Sequence, residues 1–190
     1  RIEYTTGAVY PSISASELKM SFPALKGWQI NSRQIFSLFS EDMNATHWGM
    51  LAEALAREIS DGANGIVVMH GTDTMTYTSA AISFMIQNTP VPIVFVGAQR
   101  SSDRPSSENE MNILNSAYTA SKDIAEVAVC MHASTNDDFC YAHRGTRVRK
   151  MHTSRRDAFH SIDSNPLASV DYRSDMFNTL SPYRKRGESG

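Results

Sequence analysis

Apolar positions along this chain fall into two kinds of stretch that take turns. Ile66-Val67-Val68-Met69, Ile93-Val94-Phe95-Val96 and the segment Glu126 to His132 are nearly unbroken runs of strand length, rich in β-branched residues, as strands covered on both faces require. Between them the apolar residues recur at helical spacing. Trp48, Leu51, Ala52, Leu55 and Ile59 share one face of a helix that Asn44 caps and Gly62 ends. Met75, Ser79, Ile82 and Met85-Ile86 mark a second helix from Thr74 to Asn88, fenced off by Pro90 and Pro92. Met111, Leu114 and Tyr118 mark a third, opened by Ser106 or Ser107 with Glu110 in a capping box. Trp28 to Phe39 reads as an earlier strand with imperfect alternation, Phe139 to Arg149 as two short strands turning near Arg144-Gly145, and Leu167 to Val170 as a last one. Arg1 to Tyr10 has no periodicity and reads as a loop hinged at Gly7; a short helix capped by Ser14 or Ser16 follows it.

Strands alternating with helices predict an α/β fold: an open parallel sheet with helices on both faces, joined by right-handed crossovers. The α/β domain is expected to occupy residues 1–170. From Asp171 the chain turns polar, and 171–190 reads as a linker toward a further domain. In such a sheet, ligands bind outside the carboxyl ends of the strands. Three polar strand ends fall there: Ser40-Glu41, Thr72-Asp73 and Ala98-Gln99. Thr72-Asp73-Thr74 also has a plainer reading, as the N-cap of the helix that follows.

Composition narrows the chemistry. The chain has 190 residues, 41% hydrophobic and 20% charged, with net charge −2, and no apolar run long enough to span a bilayer. Two cysteines form no disulfide framework, so a reducing cytoplasm is the default location. His70-Gly71-Thr72-Asp73-Thr74 has neither the spaced glycines of a dinucleotide turn nor the Gly-Lys-Ser/Thr of a phosphate loop; a carboxylate on the helix N-terminus fits better than a triphosphate. Cys130, His132, Cys140 and His143 have the spacing of soft metal ligands, against which stands the ordinary use of cysteine as a small buried hydrophobe. No metal is expected.

Nucleophilic catalysis fits the polar strand ends best. A threonine hydroxyl needs a base to take its proton, and a lysine can be that base when burial lowers its pKa and a carboxylate holds it. Only five lysines occur, and Lys150 follows a strand-like segment amid Arg144, Arg147, Arg149, Arg155 and Arg156. Membership of a solvated basic face, or of an RNA-contacting one, is the competing reading of Lys150 and its neighbours.

Gly65-Ile-Val-Val-Met-His-Gly-Thr-Asp-Thr-Met75 followed by Val94-Phe-Val-Gly-Ala-Gln99 resembles the second signature of bacterial-type L-asparaginases and related amidohydrolases. Ser40-Glu41-Asp42-Met43-Asn44 resembles their substrate-binding strand end, and Tyr4-Thr5-Thr6-Gly7 the loop that closes over the substrate. Within that family, the runs Gly97 to Ser107 and Val148 to Phe159 are similar to the D subunits of archaeal tRNA-dependent amidotransferases. The resemblance implies that Thr72, Asp73 and Lys150 are hydroxyl, carboxylate and base, with Tyr4 the lid tyrosine. It implies that Ser40 and Glu41 bind the α-carboxylate and α-ammonium of free asparagine or glutamine, that Gly71 is also substrate-binding, and that the backbone around Ala98 helps polarise the side-chain amide.

It further implies ammonia release for the ATP-dependent amidation of Glu-tRNA(Gln). A partner, the E subunit of such an amidotransferase, would supply ATP and magnesium and bind tRNA(Gln). The present chain would hold no cofactor of its own, and its core would be a homodimer. The family's Gly-Gly-Thr-Ile turn and its smaller C-terminal domain are absent from these residues. The expectation is therefore a truncated N-terminal domain, inactive on its own. A free-standing cytoplasmic asparaginase, and an RNA-contacting or amino-acid-binding module without catalysis, are the alternatives.

Overall fold

The computed structural model describes residues 20–36, 38–99 and 109–187. The readings of Tyr4 and its loop, of the helix after Ser14 or Ser16, and of the Ser106/Ser107 cap lie outside them. Three helices, α1 (Ala45–Ser60), α2 (Met75–Met85) and α3 (Asn109–Ala120), are interleaved with strands β1 (Ile66–Met69), β2 (Ile93–Val96) and β3 (Val127–His132). β4 (Cys140–Arg144), β5 (Val148–Lys150), β6 (Phe159–Ser161), β7 (Ala168–Asp171) and β8 (Met176–Thr179) follow. The six-stranded sheet runs β1-β2-β3-β4-β7-β8, and β5 pairs with β6 in a separate ribbon.

Each buried strand divides its residues between two layers because successive side chains point to opposite faces. Ile93 and Phe95 of β2, with Val129 and Met131 of β3, pack against Leu51 and Leu55 of α1, Met75 and Ile82 of α2, and Val148 and Phe159 of the small ribbon. Val94 and Val96, with Cys130, face α3 through Met111, Ile113 and Leu114. Asn44 caps α1 as its residue type predicts, its Oδ1 accepting from the amides of Thr46 (3.1 Å) and His47 (3.3 Å).

The α/β class stands, and the sheet is mixed rather than parallel throughout. β1, β2 and β3 are parallel, whereas β4, β7 and β8 continue the sheet antiparallel. Parallel neighbours need a long crossover, and the loop from Ala133 to Phe139 is too short to supply one, so β4 returns beside β3. The turn near Arg144-Gly145 does join two strands, but β5 leaves the main sheet and pairs with β6. Among the described residues of 28–39 there is no strand; Ile30 and Phe36 dock on the core individually, without a ladder. The polar stretch after Asp171, read as a linker, contains the edge strand β8 and is pinned by arginines: Arg184 donates to the carbonyls of Thr89 (2.8 Å) and Ala125 (3.0 Å). No described helix is long and apolar enough to cross a membrane.

Candidate active site

Two glycines let the strand ends converge. A side chain at Gly71 would bring a Cβ within 2.6 Å of the Ser40 Cβ, and one at Gly97 within 2.6 Å of the His70 carbonyl oxygen. Without those atoms, the 3₁₀ turn Ser40–Asp42, the end of β1 and the end of β2 lie against one another. Thr74 stands at the N-cap position of α2 yet makes no side-chain capping bond; its hydroxyl donates to the Ser40 carbonyl at 2.6 Å. His70 donates from Nδ1 to the Gly71 carbonyl at 2.7 Å, and burial lowers its pKa below the ordinary histidine value, so the ring serves as a neutral strut for the turn.

Lys150 arrives from the small ribbon. β5 alternates, with Val148 buried, Arg149 exposed and Lys150 turned back inward opposite Phe159. Its Nζ donates to Thr72 Oγ1 at 2.8 Å and to Asp73 Oδ1 at 2.7 Å. The lysine side chain is 11% exposed and the aspartate 66%, so the ion pair has one end in the protein and one in water. The simple capping reading of Thr72-Asp73-Thr74 therefore does not hold: all three side chains reach across to other elements.

The fourth member is Gln99. Thr72 Oγ1 donates to Gln99 Oε1 at 2.9 Å, and Gln99 Nε2 donates to the Arg155 carbonyl at 2.9 Å. The Thr72 proton thus points to Gln99 while Lys150 points its own protons at Thr72. For Lys150 to act as base, it must be the free amine and the hydroxyl must turn toward it; as an ammonium it would stabilise the alkoxide instead. Gln99 is visible in the sequence as part of a polar strand end, but nothing in its residue type sets it apart from a surface glutamine.

Ser40 is buried beside Gly71, its hydroxyl 3.4 Å from Glu41 Oε2, a distance at which the bond is weak; Glu41 is exposed. Ala98 lies in the turn between Gly97 and Gln99. Among the described residues no three His, Cys, Asp or Glu side chains gather as a metal site. Cys130 and Cys140 are buried free thiols, His132 bonds Asn112 and Asp137, and His143 bonds Ser161. Several cations of the basic stretch are engaged internally: Arg144 with Glu126, Arg155 with Asp157, Arg156 with Asp137.

The whole of this framework matches a known family pattern. Residues 1–182 match the family described as Asparaginase, N-terminal. The chain belongs to the asparaginase family. Curated relatives within it include the glutamyl-tRNA(Gln) amidotransferase D subunit of Methanosarcina barkeri, 54% identical over 99% of this chain and 44% of that protein. The D subunit of Pyrococcus abyssi is 49% identical over 99% of this chain and 43% of its own length. The asparaginase fold is shown by the thermostable L-asparaginase from Thermococcus kodakarensis, with TM-score 0.86 and 27% identity over all of this chain and 55% of that one. The chain spans less than half the length of the curated relatives it matches.

Proposed function

We propose that the full-length protein of which this asparaginase-family domain is a part hydrolyses the side-chain amide of free asparagine or glutamine, that the 190 residues alone do not turn over substrate, and that the ammonia serves the amidation of Glu-tRNA(Gln). The observation that carries the reading is Lys150 Nζ lying between Thr72 Oγ1 and Asp73 Oδ1, at 2.8 and 2.7 Å. In this reading Lys150 as free amine takes the Thr72 proton, and Thr72 Oγ attacks the amide carbon. The Gly97–Gln99 turn, through the backbone at Ala98, receives the developing oxyanion. Collapse of the tetrahedral intermediate expels the amide nitrogen, which takes the proton from Lys150 and leaves as ammonia; water then hydrolyses the acyl-threonine to the free carboxylate and restores both groups. Asp73 holds Lys150 on the hydroxyl. Ser40, Glu41 and Gly71 hold the amino-acid head, and Tyr4, outside the described residues, closes the site.

The identity to amidotransferase D subunits supports a partner, the E subunit, that binds tRNA(Gln) and carries the ATP and magnesium chemistry, around a homodimer core in the cytoplasm. Likeness to a free L-asparaginase structure supports the simpler alternative, a free-standing amidohydrolase. One assay separates them: ammonia release by the full-length protein, with and without partner and Glu-tRNA(Gln). Stimulation by both is expected, and indifference to both favours the free enzyme. In the same assay Lys150→Met should lower kcat by about 10²- to 10⁴-fold, the usual size of a general-base contribution, and near-normal turnover by that variant would remove the reading altogether.

A further inference from the structure

The turn that reaches Thr72 is held from behind by a buried chain of polar residues outside the site just described. Asn112 of α3 is wholly buried, and its Nδ2 donates to the Gly97 carbonyl at 2.9 Å. That bond fixes the orientation of the amide, because the flipped form would set two carbonyl oxygens against each other. Asn112 Oδ1 then faces His132 Nδ1 at 2.6 Å, and His132 Nε2 lies 3.0 Å from Asp137 Oδ1. An amide oxygen and a carboxylate both only accept. Two acceptors therefore face the two nitrogens of the wholly buried His132 ring, which bridges Asn112 and Asp137.

Asp137 is held below the usual carboxylate range by its bond to His132, with the Arg156 guanidinium adding to the effect. Arg156 pairs with Asp137 at 3.0 Å, and its neighbour Arg155 offers the carbonyl that receives Gln99 Nε2. The chain of contacts closes on itself: Gly97, Asn112, His132, Asp137, Arg156, the Arg155 carbonyl and Gln99. Among the described residues, Cys140 also meets this joint, its sulfur 3.4 Å from Asn112 Oδ1, as does Arg173, which donates to the carbonyls of Asp137 and Asp138.

We propose that Asn112, His132 and Asp137 are positioning residues that fix the Gly97–Gln99 turn against Thr72, with His132 as the keystone. The inference rests on the amide-hydrolysis reading of the site. Losing either of the two His132 bonds would free the turn, so the relay makes turnover depend on a histidine that never touches substrate.

The test uses the full-length protein and two variants, His132→Phe, which keeps the bulk and removes both ring nitrogens, and Asp137→Asn, whose exposed side chain leaves folding intact. Two quantities are read: hydrogen exchange at the Ala98 and Gln99 amides, and kcat and KM for ammonia release. Exchange in both variants should quicken about tenfold or more, and kcat should fall about ten- to a hundredfold with KM within a factor of about three, the cost of misplacing a reacting group. His132→Gln, which keeps one donor toward Asn112, should recover part of the loss. Wild-type exchange in a folded variant overturns the relay, whatever happens to kcat, and so does quickened exchange with unchanged kcat. The hydrolase reading fails separately, if ammonia release by the full-length protein survives Thr72→Ala; exchange at Ala98 and Gln99 then decides the linkage alone.

Discussion

His143 carries a pH signature that belongs to a single side chain. It is almost fully buried in β4, bonded through Nδ1 to Ser161 Oγ at 2.8 Å, and its pKa is lowered to about 3, first by burial and then by the nearby His160 charge. The unfolded histidine takes a proton near pH 6.5, while the folded one stays neutral until about pH 3. Between those values the unfolded chain binds more protons, so stability is complete above pH 6.5 and declines as pH falls. From pH 7 to pH 5 the loss amounts to about 2 kcal/mol, taking 1.36 kcal/mol per pH unit below the unfolded pKa. His70 is shifted in the same direction and adds to the same window, whereas Asp137, Asp157 and Asp171 are lowered and contribute only at more acid pH. His143→Gln should therefore flatten, without abolishing, the fall in melting temperature between pH 7 and pH 5. A slope identical to the wild type's would show that the ring finds a proton in the folded protein.

Between elements, the arginines after β8 act as a clamp at the amino ends of the strands, opposite the candidate site. Arg184 donates to the Asn88 side chain (2.8 Å), the Thr89 carbonyl (2.8 Å) and the Ala125 carbonyl (3.0 Å), and its amide donates to Glu126 Oε1 at 2.9 Å. Glu126 in turn binds Arg144 through both oxygens, at 2.6 and 3.0 Å. The lead-ins to β2 and β3 are thereby tied to β4. Arg184→Ala should cost about 2 to 3 kcal/mol, since several bonds to a charged donor are lost and carbonyls are left short of partners. Chemical denaturation measures that cost, and the kinetics of ammonia release should not change, because the clamp and Thr72 lie at opposite ends of the sheet.

The sequence makes the helices and central strands legible because their signals are local. Asn44 announces α1 by its own capping chemistry, and Ile93–Val96 is an unbroken apolar run in a strand buried on both faces. The ribbon β5–β6 and the strand β8 are three or four residues each, too short for periodicity to show, and they form because of what lies beside them. The same limit applies within the site. Thr72, Asp73 and Lys150 stand out by residue type, whereas Gln99 acquires its role only because Gly97 lets the turn approach the end of β1.

For the molecule as a whole, α2 poses the sharpest imbalance between composition and burial. The helix from Met75 to Met85 contains no charged residue, and its polar side chains Thr76, Thr78 and Ser79 are buried. Its inner face is enclosed by Met75 and Ile82, but on its outer face Tyr77 is 60% exposed, Phe84 69% and Met85 51%. Phe84 and Met85 stand about two turns beyond Tyr77, so the three share a stripe. Scattered apolar residues on a surface need no explanation, but a contiguous stripe on an uncharged helix does. The 190-residue chain is therefore expected to self-associate in the micromolar range, through burial worth about 25 cal/mol per Å² of apolar surface covered. Phe84→Glu with Met85→Lys should shift it toward a monomer in light scattering, with little change in melting temperature, because neither side chain contributes to the core. A wild-type chain that stays monomeric over that range would mean that the stripe is tolerated in water, and that the apolar character of α2 serves only its inner face.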